Sequence, residues 1–518
     1  MEGGKIINSS DLHEGNTLLE WVAGSSERKT LLIISFVLIL LQFWGLKYLY
    51  PFPNFLPDSY SYLEAAYNNQ LINVWPIGYS KFLRLFSCFT KSHVVLVLFQ
   101  YLFLYCSIFY FVLSTAHQLS FGKWLLRIML AMSVLNPLIF FISNFISSDA
   151  IFAGLSILWL TQLFQIIARP TRRLFLYHGV VLLLAFTFRY NAIYYPLISM
   201  ITIMFTAAPF RHKITGCLTV ALLIGSFMLI TIREYKTATG MAQFSAFGGW
   251  QMASNALYAY AHVKPEGAET MPARFRPLQQ VVFHHNDSLW RIKYRPDGEL
   301  GIYYLWEESA PLKRFLGVKY KTDSSTNNLA RWTSMAPLYF DYGLYLIAHH
   351  PKAYLRHYLL PNMKNYYVPP IEFLGIFNMI SDRVQPVAKD WFGMKSDKIY
   401  KKTSGILIKE TQNLPVALAV INLLYVLCFL AFLYLGLHKK ISRQTMRIIW
   451  YFMAIWVCNF GFSVLASPIV MRYQVFPFVT TVTFLLFLLH FIIQETRSSV
   501  ATKVTAEEEM ELYQRAYN

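Results

Sequence analysis

Apolar residues along this chain come in long blocks separated by polar stretches. Six blocks are nearly unbroken, at 31–46, 94–114, 151–167, 215–232, 414–437 and 474–493, and four with more polar interruptions lie at 124–143, 174–188, 192–206 and 448–466. A helix needs about 20 residues to cross roughly 30 Å of hydrocarbon. The pattern therefore predicts an α-helical polytopic membrane protein with about ten spanning helices. Two polar stretches between blocks are longer than turns. One is 50–92, and the other is 233–413, about 180 residues and long enough for a core of its own. Its mixture of Gly, Pro and charge, as in Arg295-Pro296-Asp297-Gly298, predicts a soluble α or α+β domain.

Composition agrees with a bilayer as solvent: 55% of the 518 residues are apolar and only 14% charged. The first apolar block is followed by Pro51 and a polar loop without a small-residue cleavage site, which predicts an uncleaved first span. Cysteine is absent between Arg233 and Asn413, so that domain has no internal disulfide and stands on packing alone.

Loop charge sets the orientation, because short loops rich in Lys and Arg stay cytoplasmic. Arg169, Arg172 and Arg173, then Arg211 and Lys213, then Lys439, Lys440, Arg443 and Arg447 mark alternate turns, with a weaker signal at Lys123 and Arg127. This register places residues 1–30 and the tail 494–518 in the cytoplasm. It places outside the loop 50–92, the turns near Asp149, Arg189 and Arg472, and the domain 233–413. A plasma (inner) membrane location is expected. No P-loop or strand-anchored Gly-rich fingerprint occurs, so a cytosolic nucleotide is not the expected substrate and no nucleic-acid partner is indicated. The pairs His284-His285 and His349-His350 lack metal-ligand spacing and read as surface or packing residues.

The informative polar residues lie on the outer side. Asp58 opens an amphipathic stretch after Pro57; Lys81 and Arg84, three apart, share a helix face in a second one. A carboxylate beside a paired cationic face suits activation of a hydroxyl next to a phosphate. Asp58 reads equally as a helix N-cap, and Asp149, after Ser147 and Ser148, reads first as a cap. Arg189 and Arg472 sit between closely spaced spans on the side where charge bias disfavours arginine, and guanidinium matches phosphate oxygens.

Pro57-Asp58-Ser59-Tyr60-Ser61-Tyr62, Pro76-Ile77-Gly78-Tyr79, Ser148-Asp149-Ala150-Ile151-Phe152, Phe188-Arg189-Tyr190-Asn191 and the Arg472-Tyr473 turn, taken in order and sidedness, resemble the GT-C glycosyltransferases. The resemblance covers about residues 30–232 plus that turn. It implies a seven-span catalytic module over 31–232, followed by the outer domain and three C-terminal spans over 414–493. It also implies sugar transfer from a polyprenyl-phosphate carrier to a lipid- or glycan-linked acceptor in cell-envelope glycan biosynthesis. By position, Asp58 would be the general base, Asp149 a second acidic site residue, and Lys81 or Arg84 with Arg189 the donor phosphate binders, joined by Arg472. Members with paired acids in the first loop differ, since Ser59 follows Asp58 here; no cofactor is expected and divalent metal is not supported. The competing readings are a polymerase or ligase of lipid-diphosphate glycans, leaning on arginine more than on Asp58, then a transporter, then a scaffold.

Overall fold

The structure, a computed structural model, describes residues 17–321, 326–402 and 412–517. Among them the chain is helical, and its extended pairings are two isolated bridges, Asn54 with Phe145 and Arg383 with Lys398. Of the two forms expected for the long polar segment, the described residues adopt the all-α one.

Seven helices are long and apolar enough to cross a membrane: Ser26–Leu49, His93–Gln118, Asp149–Ala168, Phe210–Thr239, Leu414–Tyr434, Arg443–Ala466 and Val475–Ser498. An eighth candidate is the pair Lys123–Val134 and Pro137–Ser143, bent by 41°. The bend follows from Asn136-Pro137: proline starts the second helix and the Asn136 side chain caps it by accepting from Leu138 N at 3.1 Å. The other two expected spans form shorter helices. Arg172–Phe188 has 17 residues, and the chain after it begins as a 3-10 turn, Tyr190–Tyr194, before ten α-helical residues, Tyr195–Met204. By length and composition, seven or eight spans qualify among the described residues, and the remaining two of the ten expected correspond to these shorter helices.

Buried apolar side chains divide into two clusters. The first joins the span helices to the loop 50–92; the second is built from Phe247–Tyr260, Arg276–Arg291, Pro311–Lys319 and Asn328–His349. In the second, Phe247–Tyr260 and Asn328–His349 meet backbone to backbone. A Cβ on Gly343 would lie 2.7 Å from Met252 O, and one on Gly249 would overlap Ala336 O. Pro337, inside the longer helix, cannot donate to Thr333 O, and Gln243 Nε2 donates there instead at 2.9 Å.

The long polar segment does not keep to its own core. Tyr366, Leu374, Val384, Trp391, Phe392 and Ile399 pack into the first cluster, with Phe392 against Phe55. Hydrogen bonds tie the same stretch down: Asn378 N donates to Asn54 Oδ1 at 2.7 Å, Lys402 N to Leu49 O and Met471 N to Pro370 O, each at 2.8 Å. Residues 366–402 therefore border the span ends.

Between Ser143 and Asp149 the chain is non-helical and buried, so its carbonyls need partners. Gln100, fully buried in the helix His93–Gln118, supplies them, its Nε2 donating to Ser143 O at 2.9 Å and Phe145 O at 3.0 Å. Tyr79 O–H donates to Gln100 Oε1 at 2.7 Å, and Asn54 pairs with the same turn through Asn144 O and Ile146 N. The first loop and the turn preceding Asp149 are in this way one hydrogen-bonded unit.

Candidate functional site

Asp58 is the second residue of the helix Pro57–Tyr67, whose N-cap is Leu56, so it does not cap that helix. Its carboxylate accepts no hydrogen bond among the described residues, and its nearest cation is Arg472 Nη1 at 4.0 Å. Asp149 is the first residue of its helix and is not the cap either. Its carboxylate, 1% exposed, accepts from Ser147 Oγ at 2.9 Å, from Arg189 Nη1, and from Arg472 Nη1 at 3.3 Å.

Arg189 ends the helix Arg172–Phe188 in extended conformation, and Arg472 lies on a 3-10 turn, Met471–Tyr473, between the last two spans. The Tyr473 ring stands beside both: its centroid is 4.5 Å from the Arg189 guanidinium carbon and 4.6 Å from that of Arg472. Arg472 Nε donates to Glu372 Oε2 at 3.1 Å. Nη2 of Arg472, and Nε and Nη2 of Arg189, make no protein hydrogen bond among the described residues. Burial, the largest single effect, opposes the charge on both arginines, but Asp149, Tyr473 and Tyr62 together outweigh it at Arg189, and Tyr473, Asp149, Glu372 and Asp58 together at Arg472, so both hold their protons more tightly than usual. Burial pushes the Asp58 and Glu372 carboxyls up, against the pull of Arg472 on each.

Asp58, Arg189, Glu372, Arg472 and Tyr473 line one cavity of about 530 Å³, within the roughly 300–1,000 Å³ of small-molecule sites. Trp75 from the first loop, Phe247 from the edge of the second core and the exposed Trp306 also line it. The Phe247 ring centroid lies 4.9 Å from that of Trp75 and 6.4 Å from that of Trp306. The cavity thus combines an ionic cluster with an apolar aromatic surface. A smaller cavity of about 50 Å³ shares Arg189, Arg472 and Tyr473 and runs between Asp149–Ala168 and Arg443–Ala466, past Ser156, Asn459 and Phe462.

Of the six residues singled out in the sequence, Asp58, Asp149, Arg189 and Arg472 come together. Lys81 and Arg84 do not join them. Lys81 Nζ donates to Asn69 O and Oδ1 at 3.2 and 2.9 Å, and Arg84 Nη1 to Ala66 O and Tyr67 O at 3.4 and 3.2 Å. Their shared face meets the carboxyl end of the helix Pro57–Tyr67, where orphan carbonyls attract cations, and neither lines the cavity. Glu372 and Tyr473 were not foreseen as site residues. Tyr473 adjoins Arg472 in the quoted turn, whereas Glu372 lies in a long polar segment with no apolar run to mark its acid as unusual. No group of three or more His, Cys, Asp or Glu side chains suited to a metal ion occurs among the described residues. Comparison with protein-family models, with curated proteins and with solved structures finds no match to this chain.

Proposed function

We propose that this protein is a membrane glycosyltransferase that moves a sugar from a polyprenyl-phosphate carrier to a hydroxyl acceptor at the extracytoplasmic membrane face. The observation that carries the reading is the position of Asp58. A carboxylate with no hydrogen bond of its own among the described residues shares a cavity with the buried Arg472 and the partly buried Arg189, which keep unused N–H donors. The donor is a phosphodiester. Its oxygens suit the free guanidinium donors, and its apolar chain and sugar suit the aromatic surface of Trp75, Phe247 and Trp306.

In the reaction, the acceptor oxygen bonds to the anomeric carbon as the bond from that carbon to the phosphate oxygen breaks. The electron pair goes to the phosphate, where Arg189 and Arg472 offset the charge as it grows. The acceptor proton goes to Asp58. Asp149 serves by holding both arginines in place, a structural duty consistent with its burial. The cavity lies among helix ends, so an amphipathic donor reaches it from the bilayer without a cytosolic nucleotide. Both termini are cytoplasmic and the module 233–413 is extracytoplasmic in this reading.

Asp58→Asn tests it, because Asn keeps the size but takes no proton. The expected result is a stable protein that binds donor and transfers sugar about 10²–10⁴-fold more slowly. Near-normal turnover would remove Asp58 from the chemistry and favour the arginine-based polymerase or ligase of lipid-diphosphate glycans.

A further inference from the structure

The ionic cluster at the cavity wall holds one more carboxylate than guanidinium. Asp58, Asp149 and Glu372 face Arg189 and Arg472, with the Tyr473 phenol between the arginines. An incoming anion adds a further negative charge to a site with none to spare. One carboxylate is differently held from the others. Asp149 is locked by two arginines and Ser147, and Asp58 stands off at 4.0 Å. Glu372 occupies Arg472 Nε through a single oxygen, while Nη2 beside it is unused among the described residues. The Nε–H and Nη2–H of an arginine form a parallel edge that takes two oxygens of a phosphate. Glu372 sits on half of the anion's best seat.

The backbone beneath Glu372 is also unusual. Glu372 has φ 50°, and Asn378, Met379 and Ile380 follow at 47°, 52° and 69°, a left-handed region that is rare for residues other than glycine and least suited to a β-branched one. The stretch is fastened at its far end, where Asn54 Nδ2 donates to Ile376 O at 3.0 Å and Asn54 Oδ1 accepts from Asn378 N. Glu372 thus reaches Arg472 from a backbone conformation uncommon for a non-glycine residue, on a stretch fastened to the first loop.

We propose that Glu372 is an exchangeable counter-ion: a phosphodiester displaces it from the Nε edge of Arg472, and Glu372 leaves that edge as a neutral acid carrying a proton from solvent. The inference rests on the reading of this cavity as an anion site. Arg472 is the group that favours the charged form of Glu372, while burial, Asp58 and Asp149 disfavour it. Removing Arg472 and adding a nearby anion both push toward protonation. The cavity keeps its net charge, and Asp58 stays ionised for its role as base.

The experiment is calorimetric titration of the purified full chain with a short-chain dialkyl phosphate, whose single charge does not titrate near neutrality, at pH 6 and 8 in buffers of different ionisation heat. The wild type is expected to take up close to one proton per ligand, with affinity falling by up to about tenfold per pH unit. Glu372→Gln is expected to bind without uptake, equally at both pH values, and more tightly than wild type at pH 8. Asp58→Asn is expected to keep the uptake. Wild-type binding without uptake overturns the proposal, as does a Gln variant weaker than wild type at both pH values, which would make Glu372 a mere support for Arg472. Uptake lost in Asp58→Asn but kept in Glu372→Gln overturns it by moving the proton to Asp58. If wild type and Arg472→Gln alike fail to bind, the anion reading itself falls, a result distinct from the other three.

Discussion

The Asp58 carboxylate stands 4.0 Å from Arg472 Nη1, beyond hydrogen-bond reach but within Coulombic reach. Its charged form is thus favoured by attraction alone, and burial, the larger effect, raises its proton affinity. In the proposed reaction the base works when ionised, so kcat/KM is expected to rise with pH through the Asp58 pKa and to level above it. The midpoint is expected above the value of about 4 for an ordinary aspartate. A pH–rate profile on purified enzyme checks this, and a midpoint at or below 4 contradicts it.

Arg472 pairs with the buried Asp149 and the partly buried Glu372, and Arg472→Gln leaves Glu372 without its cation. The loss expected from breaking such a buried pair is about 3–5 kcal/mol. Combining it with Glu372→Gln should restore part of that loss, since the double variant no longer holds an acid without its cation. Thermal unfolding of the single and double variants in detergent measures both, and simple additivity would show that the pair is uncoupled.

Lys81 and Arg84 bond carbonyls at the end of one short helix. Lys81→Ala and Arg84→Ala are each expected to cost about 1 kcal/mol of stability and to leave the KM for a lipid-phosphate donor within twofold of wild type. A tenfold rise in KM would return these residues to phosphate binding.

Orientation is testable by placing a cysteine at Gly298 after replacing the exposed Cys88, Cys106 and Cys458 with serine. A membrane-impermeant reagent is expected to label it in intact cells. Labelling only after permeabilisation would invert the assignment of every loop.

The helical, membrane-spanning character was legible because long apolar runs have few alternatives; Asp149, Arg189 and Arg472 were legible because each sits at the end of such a run, and Asp58 because it opens an amphipathic stretch after Pro57. What failed was finer. The i, i+3 spacing of Lys81 and Arg84 fixes a shared face but not what the face meets. The apolar runs at 174–188 and 192–206 form helices of 17 and ten residues, Arg172–Phe188 and Tyr195–Met204, lengths that the runs themselves do not fix. Glu372 depends on how residues 366–402 dock against the first loop, a contact between segments more than 300 positions apart that no local pattern encodes.

Asp149 and Arg472 are separated by 323 positions. At synthesis rates of about 5–20 residues per second, roughly 15 to 65 seconds pass between the two emerging. Through that interval Asp149 has Arg189 as its available guanidinium partner, and the cavity lacks a wall. A ribosome that stops before Arg472 leaves a membrane-inserted chain with Asp58 in place and no second arginine, so such a truncated product carries the acids of the cluster with only one of its two guanidinium partners.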